Sequence, residues 1–553
     1  MSNSRSRFGL LCSAALCVVA VAACAGGRPP PPSVDIDEDL FRSSVAMLAS
    51  EAFEGRRPGT AGEDKTVAFV TAQFRRLGLK PGNGESFLQP VPMVETVASG
   101  QSLKVTSPGG SRVLAFGEDM VIWSKRAVAD VEVRASPLVF AGYGIVAPEF
   151  GWDDYAGLDV RGKTVIVLAN DPGHADGALF KGRSMTAYGR PDYKFQAAAG
   201  HGASAVLMIY DPEAAGVTWD ALRGAAAAAQ LELATPDPAT KHAAIEGWIA
   251  ASAARSILAG VGLDLAALSA DAARAGFHGR NIGAGVDVSL QNAIRRFSSP
   301  NLVAVFPGQR RSHDYIVFSA HWDQLGRDAG RPDDGVYHGA VDDAVGVAGL
   351  LALAQSFKRT LPQPDRSIVF LAFTGEESGL LGSNYYVANP LFPLAQTVAD
   401  INIDGLHVGG PTRDVSVIGF GQSELEGYLR DAAALQGREL HADVHPEAGT
   451  YFSSANFSFA QAGVPALYAI AGSDDAARGP AWGQAQIDEY YARRYRRTAD
   501  VYSDDWDVRA MLEDLTLFYR VGLRLAQTRR FPNWLVGSEY RAARQRSRDS
   551  IID

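Results

Sequence analysis

Cysteine is missing from almost all of this chain: Cys12, Cys17 and Cys24 are the only three in 553 residues. The body beyond them therefore has no disulfide to form and no thiol to act as nucleophile or soft metal ligand. Histidine is scarce too, with 10 in all and none after His445. Basic stripes are lacking, and with a formal net charge of −10 the chain is not expected to bind nucleic acid. No repeat of fixed period occurs, and past the leader no stretch reads as a transmembrane helix. What is present, 47% hydrophobic and 21% charged residues, describes a globular chain long enough for two or three domains.

Arg5 and Arg7 precede an apolar run from Phe8 to Val21, which is too short for a comfortable membrane span and shaped like an export signal. Its end, Val21-Ala22-Ala23-Cys24, resembles a bacterial lipobox. On that resemblance residues 1–23 are a lipoprotein signal peptide and Cys24 is the acylated first residue of the mature chain. Within residues 24–35 the Pro29 to Pro32 run is a stiff tether. The expectation is an exported body, attached to the cell envelope through lipid alone. Ala25 rather than aspartate after Cys24 leans towards the outer membrane of a Gram-negative cell, facing the periplasm or the exterior. Oligomeric state has no signature here.

Residues 36–135 open with helical spacing, as in "TVAFVTAQFRRLGL", and turn to short alternating runs from Ser102 to Trp123. A second unit, 136–290, contains "LVFAGYGIVAP" and "GKTVIVLANDP", then a helix expected around Tyr193 to Gly200, then the strand "ASAVLMIY". The third, 291–540, leaves a tail at 541–553. Its strand-like runs "NLVAVFPG", "YIVFSA", "SIVFLAFT", "ADINID" and "VSVIGF" alternate with helix-like "AVGVAGLLALAQSF", "GLLGSNYYVA" and "AMLEDLTLFYRVGLRLA". That alternation predicts an α/β fold, a mixed, mostly parallel sheet sandwiched by helices. Such sheets place their chemistry at the carboxyl ends of strands.

Polar residues cluster at those ends. "YIVFSAHWDQLG" delivers His321 and Asp323, "HGAVDDAVG" delivers Asp342 and Asp343, "FTGEES" delivers Glu376 and Glu377, and "INIDG" delivers Asp404. Any one of these acids alone reads as a solvated loop residue or a cap; Asp343 could simply cap the helix after it. Together, one histidine and several acids converging from separate strands would repel strongly without a cation. A divalent metal answers that, and zinc suits the nitrogen and oxygen donors best.

With those residues in view the chain resembles the zinc aminopeptidases of the aminopeptidase Y and glutamate carboxypeptidase type, whose bacterial secreted members carry an inserted protease-associated domain. The resemblance implies that 36–135 is the N-terminal part of a catalytic domain, 136–290 an inserted β-rich protease-associated domain, and 291–540 the rest of the catalytic domain. It implies an exopeptidase acting on peptides, more on amino than carboxyl ends, with one or two zinc ions. His321 and Asp404 match terminal ligands of one zinc, Asp342 the bridging carboxylate, and Glu377 a ligand of the second. Glu376 matches the general base that takes a proton from the attacking water. Asp323 would sit behind His321 and fix its tautomer. A cis peptide bond between Asp342 and Asp343 is implied as well.

One segment departs from the family pattern. Its members carry the last ligand of the second zinc as histidine in Tyr-His-x-Pro-x-Asp-x-Tyr; here the segment is "YRRTADVY", with Arg496 in the histidine's place and Tyr495, Asp500 and Tyr502 retained. Likewise the family's Ser-Asp-His becomes Ser454-Ala455-Asn456. Arginine offers donors only and cannot ligate zinc. Two expectations follow: a one-metal enzyme in which Arg496 supplies the other charge, or a catalytically impaired peptide-binding lipoprotein. His441 and His445 are candidates to restore the nitrogen ligand, whereas His338 and His407 lie near the right loops without matching a ligand. Glutaminyl-cyclase chemistry ranks lower, because its ligand set includes the missing histidine.

Overall fold

The computed structural model describes residues 34, 36–235, 241–328, 330–331 and 333–549. The expected signal peptide, Cys24 and all of the tether but Val34 lie outside them. Met1–Val34 and Asp35–Asp553 separate as compact units, and the fold described here is that of the second.

One half of its main sheet runs in the order Glu439–Ala442, Asp414–Ile418, Ala466–Ala471, Thr397–Asn402, Arg311–His321, Arg366–Phe373 and Arg280–Phe306. Neighbours are parallel except where Asp414–Ile418 meets Ala466–Ala471 and where Arg366–Phe373 meets Arg280–Phe306. Period-two alternation sorts the central strands onto two faces. Val317, Val369 and Leu371 form one core with Tyr386 and Phe459. On the other face Phe318 and Phe370 lie 6.0 Å apart, with Phe357 at 5.4 Å from Phe318. Each such ring or branched side chain contributes about 2 kcal/mol on burial. Helix Arg509–Gln527 buries Met511, Leu515, Phe518, Gly522 and Leu525, a single stripe at helical spacing. Gly522 is required there, because a Cβ would come 2.5 Å from the Phe318 ring. One described segment, Ala340–Arg359, is apolar and long enough for a membrane, yet 94% of that stretch is buried inside the protein. It is a core helix.

Residues 136–290, expected to be β-rich with a helix around Tyr193 to Gly200, carry that helix and others. Strands Asp130–Phe140, Thr164–Leu168, Ala205–Tyr210 and Ile245–Ala250 are parallel neighbours, and Met120–Trp123 closes the edge antiparallel. Between them run helices Pro191–Gly200 and Ala251–Ala259, formed by "FQAAAG" and "ASAARSILA", whose alanines cost the helix least. This sheet is continuous with the first through Arg280–Phe306. The first half of that strand alternates, with Ile282, Ala284, Val286, Val288 and Leu290 buried; the run from Leu302 to Val305 is buried on both faces. The pattern switches where the strand passes from a half-exposed sheet into a central position.

A charged knot lies where the short strand Gln230–Leu233 crosses strand Leu88–Ser107. His242 Nε2 is 3.2 Å from Glu232 and its Nδ1 3.0 Å from Glu246, so both ring nitrogens face carboxylates. Burial opposes the imidazolium, but the two acids outweigh it and push His242 up to about 9 from its ordinary 6.5. A raised pKa makes this contribution complete below pH 6.5 and lost as pH climbs through about 9. Urea unfolding of the wild type should therefore weaken across that window, by about 3 kcal/mol more than in His242→Gln. Parallel profiles for the two proteins would refute this assignment.

Candidate active site

The strand ends bring the expected residues together. His321 closes Arg311–His321, Asp342 lies in the turn before helix Val345–Arg359, Glu376 and Glu377 follow Arg366–Phe373, and Asp404 follows Thr397–Asn402. Donor atoms of His321, Asp342 and Asp404 all lie within 4.8 Å of one another. His321 Nε2 is 3.0 Å from Asp342 Oδ1, 3.6 Å from Asp404 Oδ1 and 3.8 Å from Glu376 Oε2.

Asp323 corrects one expectation. The Nδ1 of His321 meets the backbone carbonyl of Asp323 at 3.1 Å, nearer than the carboxylate at 3.7 Å, so the main chain orients the ring. The carboxylate instead accepts from the backbone N–H of Glu376 at 3.1 Å and of Glu377 at 3.4 Å. It fixes the loop that carries both glutamates.

Three further groups hold the site, and sequence reasoning gave none of them that role. Asp343 does cap the helix, accepting from Gly346 N–H at 3.0 Å, but also accepts from His321 N–H and Gly405 N–H, each at 3.1 Å. One carboxylate thus ties three ligand-bearing segments. Asp500 accepts from the N–H groups of Val341 and Asp342, all at 3.1 Å, bracing the turn in which the Asp342–Asp343 peptide is cis. Arg56, only 1% exposed, donates to the carbonyls of Trp322, Leu48, His338 and Gly339 at 2.6 to 2.9 Å. Nothing in sequence periodicity separates these from solvated acids or a surface arginine.

Burial drives the electrostatics. It raises Glu376 well above the usual carboxylate range despite the opposing pull of His321, and pushes Glu377 up to about 8 against the pull of Arg496. At Asp342 the bond and charge of His321 outweigh burial and hold the group low. Asp342 Oδ2 and Glu376 Oε2 are buried without a hydrogen-bond donor. Orphaned carboxylate oxygens beside a histidine nitrogen, with no thiol present, fit a divalent cation such as zinc.

The second expected ion finds no such fit. Arg496 Nη2 is 2.7 Å from Glu377 Oε2 and 3.9 Å from Glu376 Oε2, and its Nε is 3.9 Å from Asp342 Oδ2. A guanidinium, donors only, stands among these carboxylates. No histidine restores the ligand. His441 is exposed on strand Glu439–Ala442, and His445, 47% exposed, pairs with Glu447 and Asp488. His338 is held by the Ala49 carbonyl and Asp334. His407 lines a cavity of about 180 Å³ beside Asp404, together with Tyr468, Ile470, Tyr490, Tyr491 and Trp506. The Tyr468 hydroxyl donates to the Asp404 carbonyl at 2.6 Å.

Residues 301–518 match the model of Peptidase family M28. Aminopeptidase NAALADL1 of Mus musculus is 32% identical over 127 residues, 22% of this chain and 16% of that protein. A vacuolar membrane protease of Lodderomyces elongisporus is 30% identical over 122 residues, 22% of this chain and 12% of that protein. The chain thus spans less than a fifth of the length of these curated relatives. Among solved structures, the aminopeptidase from Aneurinibacillus sp. strain AM-1 has a TM-score of 0.51 at 18% identity, over 89% of this chain and 94% of that one. At that identity the likeness is one of fold.

Proposed function

We propose that this chain, whose residues 301–518 match the model of Peptidase family M28, is a zinc-dependent exopeptidase that removes residues from the amino ends of peptides. The observation that carries the reading is the convergence of His321, Asp342 and Asp404 within 4.8 Å, with Glu376 alongside. Those three residues would hold the zinc, which when bound polarises the scissile carbonyl and lowers the pKa of water. Glu376 takes a proton from the attacking water as the new carbon–oxygen bond forms. It returns that proton to the amide nitrogen as the carbon–nitrogen bond breaks, leaving a carboxylic acid and an amine, which part as carboxylate and ammonium once the acid's proton passes to the amine. A carboxyl whose proton affinity is raised by burial suits both transfers. The cavity beside Asp404, where aromatic Tyr468, Tyr490, Tyr491 and Trp506 meet polar Gln486, Glu489 and Arg494, would receive the side chain of the terminal residue. Preference for the amino end rests on relatives whose names are aminopeptidases.

The test is release of free amino acids from unblocked peptides by the zinc-loaded protein. Chelation is expected to stop it and zinc to restore it, with His321→Ala losing both zinc and activity. A protein that holds zinc and binds peptides but cleaves none would support the second reading, a peptide-binding envelope lipoprotein. That reading is favoured by Arg496 and by Ser454-Ala455-Asn456.

A further inference from the structure

We propose that Arg496 takes the place of a second metal ion, so that the chain works with one ion per active site and a built-in organic cation beside it. The inference rests on the peptidase reading above and concerns what balances its carboxylates. Asp342 and Glu377 come from different strand ends, and a single guanidinium reaches both while also lying 3.9 Å from Glu376. Its contact with Glu377, at 2.7 Å, is the shortest ion pair in the site. An ion between Asp342 and Glu377 would meet the guanidinium itself, and two cations cannot share that space.

Arg496 is placed there by its own backbone as well as by charge. It has φ 54, a left-handed conformation unusual for a side chain of this size, four residues before Asp500, which braces the turn holding Asp342. Its guanidinium also lies 5.2 Å from the Tyr495 ring centroid, so an aromatic neighbour supports the cation. The side chain remains 39% exposed, which leaves part of its fork solvated while the rest meets the acids.

The substitution has chemical consequences. A guanidinium supplies one positive charge where a divalent ion supplies two, and it does not dissociate, exchange or need loading. It has no open coordination position, so it orients Glu377 and lowers the repulsion on Glu376 without activating water. Arg496 is thus a positioning residue for the general base. Activation of water falls wholly to the ion held by His321, Asp342 and Asp404.

Zinc counted per chain on the full-length protein, purified from membranes in detergent and freed of excess metal, tests this directly. The wild type should hold one zinc and Arg496→His two. Peptide hydrolysis by Arg496→Ala should fall about 100-fold and recover when guanidinium chloride is supplied at millimolar concentration. Arg496→Lys, which keeps the charge, should keep the count at one. Two tightly held zincs in the wild type would overturn the proposal while leaving the peptidase reading intact. A count of one in folded Arg496→His, or no rescue of Arg496→Ala by guanidinium, would also overturn it. A wild type that holds no zinc would take both readings down together.

Discussion

Glu376→Gln is expected to lower kcat for peptide hydrolysis by about 10³-fold while leaving the zinc content unchanged. The two side chains have nearly the same volume and the same reach, so the buried pocket that holds Glu376 is preserved. What changes is that an amide oxygen is far too weak a base to take a proton from water. The loop need not move either, because Asp323 holds the backbone N–H of residue 376 and not its side chain. Zinc should stay because the three-donor set of His321, Asp342 and Asp404 does not include Glu376. KM should change little, since the lost interaction belongs to the transition state. Loss of zinc in this variant would make Glu376 a ligand, and an unchanged kcat would place the base elsewhere.

Arg56→Ala is expected to destabilise the fold by about 3–5 kcal/mol, read as a fall in urea midpoint at unchanged slope. Arg56 donates to four backbone carbonyls from three separate segments, and none of these sites is open to water. Removing the guanidinium takes a donor from each of those oxygens, of which Gly339 keeps another in the Ala344 N–H at 3.1 Å, and leaves a cavity the size of the side chain. It also removes a buried positive charge near Asp500, Asp343, Asp323 and Asp342. The contribution is thus partly electrostatic, and the same variant should weaken zinc retention by loosening Trp322 and Gly339 on either side of the ligands. Lysine cannot substitute, because a single ammonium cannot reach carbonyls spread around a planar fork. A loss under about 1 kcal/mol would mean that water enters and replaces the lost donors.

The parts of this molecule that were legible in the sequence are those where one residue type has few alternatives. Continuous apolar runs such as "SIVFLAFT" read as buried strands, and acids immediately after such runs read as a site, because nothing else explains charge at the end of a buried strand. His321, Asp342 and Asp404 were legible from that clustering, whereas the anomaly at Arg496 was legible only against the pattern of the family the chain resembles. Asp343, Asp500 and Arg56 were not given their roles, since each acts on backbone groups far away in sequence and leaves no periodic trace. The role of Asp323 was misread for a related reason: a carboxylate two residues after a histidine can reach the ring or a neighbouring loop, and only tertiary packing decides which. Among the strands of 136–290 the helix around Tyr193 to Gly200 was legible, whereas Ala251–Ala259 was not, because a helix of 9 residues shows too few turns of its period to stand out.

The strand Arg280–Phe306 has a mechanical consequence. Its last residues are laced into Arg366–Phe373 and its first into Asp130–Phe140, with Leu88–Ser107 alongside for most of its length. The two halves of the molecule therefore share a girder rather than a joint. Opening one against the other about a hinge would require tearing a hydrogen-bonded ladder, whereas a twist spread along residues 292–301 would break none of it. The two halves can flex in torsion against each other and their loops can shift, but they cannot swing apart as two bodies.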